Sequence, residues 1–268
     1  MNDTIFEVKD LSYTYAGNIR ALEKIDLTIN SGERVALLGA NGSGKSTLLK
    51  LLDGLVFPSQ GKILAFGNPL TEKSLRDGPF SFEFRRRVGL VFQDPDVQLF
   101  SPTVWDDITF GPLQLQISRE EVIARADKAI SLMCISHLKD RPPYRLSDGE
   151  KKKVSIASVL SLGPEVLLLD EPTAGLDPRS QGNLIDFLMH WPDGGRTLIF
   201  STQDLDMVEE VADRVVVLGE GQRIVADGKP DEFLTRREFL LSTNLIHEHS
   251  HRHQQLVHSH EHHHKHSH

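Results

Sequence analysis

GANGSGKST, residues 39–47, decides how the chain is read. It fits the pattern G-x-x-x-x-G-K-[ST], follows the apolar run VALL (35–38) and leads into a helical pattern from Lys45 to Leu52. A strand, a glycine-rich turn and a helix N-terminus in that order make a phosphate cradle. Gly39 and Gly44 let the backbone close round an anion, and the N–H groups of the loop face it. Asn41, Gly42, Ser43 and Thr47 are candidate contacts of the same cradle. Lys45 neutralises charge on the terminal phosphates, and Ser46 offers a hydroxyl to Mg²⁺. VLLLDE (166–171) supplies the second half: an apolar strand delivers Asp170 to its end, where it can hold Mg²⁺. Glu171 follows, placed to orient and polarise an attacking water. Many strands end in Asp, so this motif gains its meaning from the phosphate loop. Together they mark a nucleotide-hydrolysing site that uses Mg²⁺.

Strand and helix signals alternate around these motifs. Residues 118–133 read as a helix, with Ser118 and Glu121 as a capping box and Val122, Ile123, Ala126, Ala129, Ile130 and Met133 on one face. A second helix starts after LSDGE (146–150) and runs to about Leu162. Then come strand 166–170, helix 179–191, strand 197–200, helix 204–212 and strand 214–218. Such alternation implies an α/β fold with a parallel sheet covered on both faces. Residues from about 95 to 162 interrupt it and read as an inserted helical subdomain. The expected organisation is an ATPase domain over 1–230, one C-terminal helix over 231–246 and a histidine-rich disordered tail over 247–268.

The 268 residues carry a net charge of −8, which disfavours a nucleic-acid partner. The runs RRR (85–87) and KKK (151–153) read as solvated faces. The single cysteine, Cys134, has no internal disulfide partner, as in a reducing compartment. No apolar run is long enough to cross a bilayer, and the first residues lack the pattern of a signal peptide. A membrane role would therefore take its span from another chain.

LSDGE (146–150) goes beyond a generic phosphate-loop protein: it resembles the LSGGQ signature of ATP-binding cassette (ABC) proteins and lies about twenty residues before Asp170. Other pieces match that family in order. Tyr15, in LSYTY, is similar to the aromatic that stacks on adenine. Gln93, in VGLVFQD, is similar to the Q-loop glutamine, a contact of Mg²⁺ and water that senses the membrane partner. AGLD (174–177) resembles the D-loop. The resemblance spans residues 4 to about 230 and implies a RecA-like P-loop NTPase core. It further implies a pair of ATPases, identical or mixed, in which Ser147 and Gly149 of one contact the γ-phosphate held by the other. Residues 91–112 and 146–178 resemble ATPases of energy-coupling-factor importers, most nearly the cobalt/nickel branch. That implies a peripheral protein at the cytoplasmic face of the cell membrane, with an integral coupling subunit and a substrate-binding membrane subunit as partners. An importer for a vitamin and a soluble, non-transport ABC ATPase are the alternative readings.

Two residues depart from the family pattern. Asp148 replaces a glycine, and a carboxylate near phosphate is unfavourable unless it points outward. In STQD (201–204), Gln203 stands where the family has its switch histidine. Its amide can donate to a γ-phosphate oxygen but cannot become cationic, so binding is expected to survive while turnover falls. Val97, Leu99, Phe100, Val104 and Trp105 divide between subdomain core and a groove for a membrane partner.

Histidine usage shifts abruptly near the end. Only His137 and His190 precede residue 247, whereas His247, His249, His251, His253, His258, His260, His262, His263, His264, His266 and His268 follow. Interruptions by Ser, Glu and Lys read as native sequence rather than a tag. Neutral imidazoles at this density bind nickel or cobalt, without selectivity. Affinity falls as they protonate below about pH 6.5.

Overall fold

In the computed structural model, which describes residues 4–76, 78–191, 195–253 and 256–262, the chain opens with a hairpin. β1 (Thr4–Tyr15) and β2 (Ile19–Asn30) pair antiparallel across a turn in which Gly17 and Asn18 take φ of 80° and 61°. Along β2, Ile25, Leu27 and Ile29 are buried and alternate with exposed Asp26 and Thr28, the period of a strand with one wet face. β3 (Arg34–Leu38) leads to α1 (Lys45–Leu52). β4 (Gln60–Ala65), β5 (Asn68–Pro69), α2 (Glu72–Arg76), α3 (Pro79–Arg87) and β6 (Val88–Val91) follow. Next come three helices with no strand between them: α4 (Val104–Gln114), α5 (Arg119–Leu132) and α6 (Asp148–Leu160). Alternation resumes with β7 (Val166–Asp170), α7 (Pro178–His190), β8 (Thr197–Thr202), α8 (Leu205–Val211), β9 (Arg214–Leu218) and β10 (Ile224–Gly228). The described chain ends with α9 (Asp231–Leu234), α10 (Arg237–Ser242), β11 (His247–His253) and β12 (Leu256–His262).

The central sheet has the order β10-β9-β3-β8-β7-β6, parallel except for the edge pair β10–β9. Its strands are nearly continuous apolar runs because both faces are covered. Ala36, Leu38, Leu167, Leu169, Leu198, Phe200, Val215 and Val217 face a core shared with α4 to α8. Val35, Leu37, Leu168, Ile199, Val216 and Leu218 face the opposite core, filled by α1 and the first strands. A parallel sheet alone was expected. The structure adds a second, antiparallel sheet, β2-β1-β4-β5, which closes over α1. β1–β2 and β4–β5 are joined by short turns, but the pair β1–β4 brings together strands separated by β2, β3 and α1, so alternation does not reveal this sheet.

Several local expectations need correction. In α5, Glu121 N donates to Ser118 Oγ at 3.2 Å, but the Glu121 carboxylate turns to Arg125 at 2.7 Å, so the capping box is half made. Ile123 is 41% exposed and lies off the buried face of Val122, Ala126, Ala129, Ile130 and Met133. Helix α6 begins inside LSDGE, not after it, because Ser147 and Glu150 form the complete box. Residues 231–246 hold two short helices instead of one. Thr235 Oγ1 donates back to the Asp231 carbonyl at 3.1 Å, and Arg236 leaves helical geometry at φ −94°, ψ 89°. Of the tail expected to be disordered, β11 and β12 form an antiparallel pair with His247 opposite His262 and His251 opposite His258. The every-second-residue repeat of HEHSHRH is the period of a strand. His263, His264, His266 and His268 lie outside the described residues.

α1 ends on a buried acid. Asp53 is its C-cap, and Arg85 of α3 donates to the Asp53 carbonyl at 2.9 Å and to its carboxylate at 3.3 Å. Burial pushes the carboxyl from 3.8 up to about 7, against the pull of Arg85. The negative end of the helix opposes the ionised form too. Because the folded value exceeds the unfolded one, folding penalises the carboxylate. That penalty is absent below about pH 4, grows by up to about 1.4 kcal/mol per unit, and is complete above the folded value. Asp53→Asn is therefore expected to raise Tm at pH 8 by about 3 °C or more beyond its effect at pH 5. An equal or smaller gain at pH 8 would contradict this.

Candidate active site

The loop from β3 to α1 tolerates little but glycine at two points. A Cβ on Gly39 would lie 2.5 Å from Ser43 Oγ and from the Leu218 carbonyl. At Gly44, φ is 104° and a Cβ would lie 2.4 Å from the Ala21 carbonyl. The loop thus wraps closely enough to bring main-chain donors to one anion. Ser43 Oγ is buried and has no hydrogen-bond partner among the described residues, which leaves it open to a ligand. Lys45, 6% exposed, donates from Nζ to the Gly39 and Ala40 carbonyls at 2.7 and 3.3 Å.

The strand ends supply the acids. Asp170 Oδ1 accepts from Ser46 Oγ at 2.9 Å and from Ser201 Oγ at 2.6 Å. Glu171 turns sharply out of β7 at φ 44°, and its N–H donates to Ser201 Oγ at 3.0 Å. Glu171 Oε1 lies 3.7 Å from Lys45 Nζ. Burial pushes the Glu171 carboxyl up and the Lys45 ammonium down, and their mutual attraction only partly offsets it. Desolvation therefore outweighs the ion pair at both partners, and Glu171 is a stronger proton acceptor than an exposed glutamate. Gln203 donates from Nε2 to Asn41 Oδ1 at 2.5 Å and also hydrogen-bonds Glu171. It thereby joins the phosphate loop to the acid.

Tyr15, Asn41, Gly42, Gly44, Lys45, Ser46, Thr47, Gln93 and Glu171 come together round one cleft of about 340 Å³. Tyr15 OH hydrogen-bonds Thr47 Oγ1 at 3.1 Å, and its ring meets Tyr13 edge-on at 4.8 Å. Tyr13 packs on the core, while Tyr15 stays 37% exposed and lines the cleft. Ile19, Arg20 and Ala21 line the same cleft, and no motif marked them. Ser147 and Gly149 do not line it. Ser147 Oγ donates to Glu150 Oε2 at 3.0 Å, and Gly149 packs near Leu176 of the D-loop. Asp148 is exposed in the first turn of α6.

Three supporting residues were missed. Ser201 braces both acids. Gln98 fixes the Q-loop: its Oε1 accepts from Phe92 N at 3.2 Å, and its Nε2 donates to the Ser155 carbonyl at 2.8 Å. Lys152 is 2% exposed, and burial pushes it down to about 8. The two basic runs dissolve into separate contacts. Arg85 meets Asp53, Arg87 pairs with Glu165 at 2.8 Å, and Lys151 pairs with Asp96 at 2.8 Å.

A glycine-constrained loop after β3, its lysine and an acid pair at the end of β7, one strand further across the sheet beyond β8, define a P-loop nucleoside triphosphatase. The chain belongs to the ABC transporter family, whose model matches residues 22–174, and it is an ABC-type ATPase. It is 52% identical over 244 residues to the nickel import ATP-binding protein NikO of Rhodobacter capsulatus, covering 90% of this chain and 95% of the relative. It is 44% identical to the energy-coupling factor transporter ATP-binding protein EcfA of Methanoculleus marisnigri, covering 90% and 85%. Among solved structures, cbiO1 of Clostridium perfringens, part of the ABC transporter complex cbiONQ, matches with a TM-score of 0.74 at 40% identity, covering 91% and 95%. The ATP-binding cassette MJ0796, dimeric with ADP and Pi, matches with a TM-score of 0.76 at 25% identity, covering 84% and 99%.

The position of Gln203 gives a direct test. A neutral amide bridges Asn41 and Glu171 but cannot supply a cation to the developing phosphate charge. Gln203→His is expected to leave ATP affinity within about twofold and to raise steady-state hydrolysis about tenfold or more. Unchanged turnover would contradict that role.

Proposed function

We propose that this chain is the ATP-hydrolysing subunit of a membrane importer that takes up a transition-metal cation, nickel or cobalt, through separate membrane subunits. The observation that carries this reading is one cleft lined by Tyr15, the phosphate loop, Gln93 and Glu171, on a chain 52% identical to a nickel import ATP-binding protein. Tyr15 stacks on adenine. Gly39 to Thr47 cradle the phosphates, with Lys45 on the terminal pair. Ser46, Asp170 and Gln93 provide the oxygen ligands that suit Mg²⁺, which when bound neutralises charge on the phosphates. Glu171 accepts a hydrogen bond from the attacking water and orients it, and Gln203 donates to the γ-phosphate. Ser147 and Gly149 sit outside their own cleft, on the exposed start of a helix, and complete the site of a second ATPase subunit. ATP then favours the closed pair and hydrolysis releases it.

The surface beside the Q-loop suits a membrane partner. Val97 and Phe100 are 65% and 69% exposed, and Phe100 meets Phe110 edge-on at 5.0 Å. Leu99 and Trp105 pack against the core and Val104 is buried within it. No described helix is long and apolar enough to cross a membrane; on this reading the separate membrane subunits provide the span, and the chain works as a peripheral protein at the cytoplasmic face. The histidines of 247–268 act as an unselective cytosolic acceptor for the imported cation.

Metal accumulation tests the reading. Cells expressing the complete transport operon are expected to accumulate nickel or cobalt, and Glu171→Gln in this subunit is expected to bring uptake to background. Accumulation that is indifferent to Glu171→Gln would refute it. In a second arm, removal of 247–268 is expected to leave ATP hydrolysis intact and to abolish most Ni²⁺ or Co²⁺ binding by calorimetry. Undiminished binding would refute the role of the tail.

A further inference from the structure

Lys152 is a buried ammonium for which the chemistry above has no use. It stands on α6, the helix that Ser147 caps, and is 2% exposed. Its Nζ donates to the Phe92 carbonyl at 3.0 Å, the Gln93 carbonyl at 2.9 Å and the Asp170 carbonyl at 3.4 Å. An ammonium has three N–H donors, and here three main-chain acceptors meet them. No carboxylate hydrogen-bonds it directly, although Asp170, Glu171 and Asp94 lie near enough to favour its charge. Burying an ammonium costs several kcal/mol unless it is satisfied. A methionine would fill the same space without that cost, so the packing alone does not ask for lysine.

The three acceptors explain the choice. The last registered pair of the β6–β7 ladder is Val91 with Leu169. Beyond it come Phe92 and Gln93, just past the end of β6, and Asp170, the last residue of β7. Lys152 bridges these two ends. Two of its acceptors belong to Gln93 and Asp170, whose side chains face the proposed Mg²⁺ position. The same helix begins at the turn that the proposed pairing presents to a second nucleotide.

We infer that Lys152 is a positioning residue that sets the Mg²⁺ site by clamping the main chains of Gln93 and Asp170 together. It also ties that site to the signature turn, so that a shift of α6 reaches both at once. The inference rests on the ATPase reading above and concerns how its Mg²⁺ ligands are held.

The test measures binding of a fluorescent ATP analogue to the full chain while Mg²⁺ is titrated. Lys152→Met keeps the stem and removes the ammonium. It is expected to bind the analogue without Mg²⁺ within about twofold of the unaltered chain, and to need about tenfold or more Mg²⁺ for half-saturation. A general packing defect would instead weaken binding with and without Mg²⁺ alike. A folded Lys152→Met with an unaltered Mg²⁺ midpoint, or with equal losses in both conditions, overturns the inference. If circular dichroism shows that Lys152→Met does not fold, Lys152→Gln is measured in the same way, with the same expected and contrary results. Loss of fold in both variants makes Lys152 a structural strut and overturns the inference. An unaltered chain whose nucleotide binding ignores Mg²⁺ would overturn the ATPase reading and this inference together, whereas the other contrary results overturn this inference alone.

Discussion

One carboxylate holds the site together. Asp170 Oδ1 takes hydrogen bonds from Ser46 at the start of α1 and from Ser201 at the end of β8. Three elements distant in sequence thereby meet at one oxygen. Such charge-assisted bonds are short and strong, and they set the spacing between phosphate loop and acid pair more tightly than packing alone. Glu171 depends on the same hub, since Ser201 also accepts from its N–H while the chain turns at positive φ. Loss of Ser201 would leave a 5%-exposed carboxylate short of a donor and the following glutamate unbraced.

Legibility in the sequence followed the range of the chemistry. The phosphate loop was readable because its residues lie within one strand–turn–helix unit, and Asp170 and Glu171 because they end an apolar strand and take their meaning from that loop. The parallel strands were readable because burial on both faces leaves runs such as VLLLD with no polar interruption. Ser201 and Lys152 were not, since their partners lie 31 and 60 residues away. The run KKK hid three environments: a helix turns about 100° per residue, so neighbouring lysines cannot share one. Lys151 and Lys153 stay partly exposed while Lys152 goes inside. The antiparallel sheet was missed for a related reason, that its central pair, β1 with β4, joins strands separated by β2, β3 and α1. The signature helix was placed a few residues late because Glu150 was read as part of a motif rather than as a cap.

That cap bears on how the cassette changes state. Ser147 accepts from Glu150 N, and its own N–H and Oγ donate to the Glu150 carboxylate at 2.8 and 3.0 Å. The bonds to Ser147 draw the Glu150 carboxyl below its ordinary range. The hydroxyl proposed to meet a second subunit's nucleotide is therefore already engaged within its own turn. On the proposed pairing, ATP would compete with this internal partner for the hydroxyl, and the closed pair would be stable only while the nucleotide offers more. Helix α6 then connects this exchange, through Lys152, to the loop that holds Gln93.

The central claim is that two copies or two related cassettes share the nucleotide between them. Sedimentation velocity of the full chain carrying Glu171→Gln tests it most directly, because slowed hydrolysis lets the closed pair accumulate. A dimer is expected with ATP and Mg²⁺, returning to monomer when ADP replaces ATP or when a nickel- or cobalt-free buffer lacks nucleotide. A monomer under every one of these conditions, with nucleotide shown to be bound, would contradict the pairing of two copies.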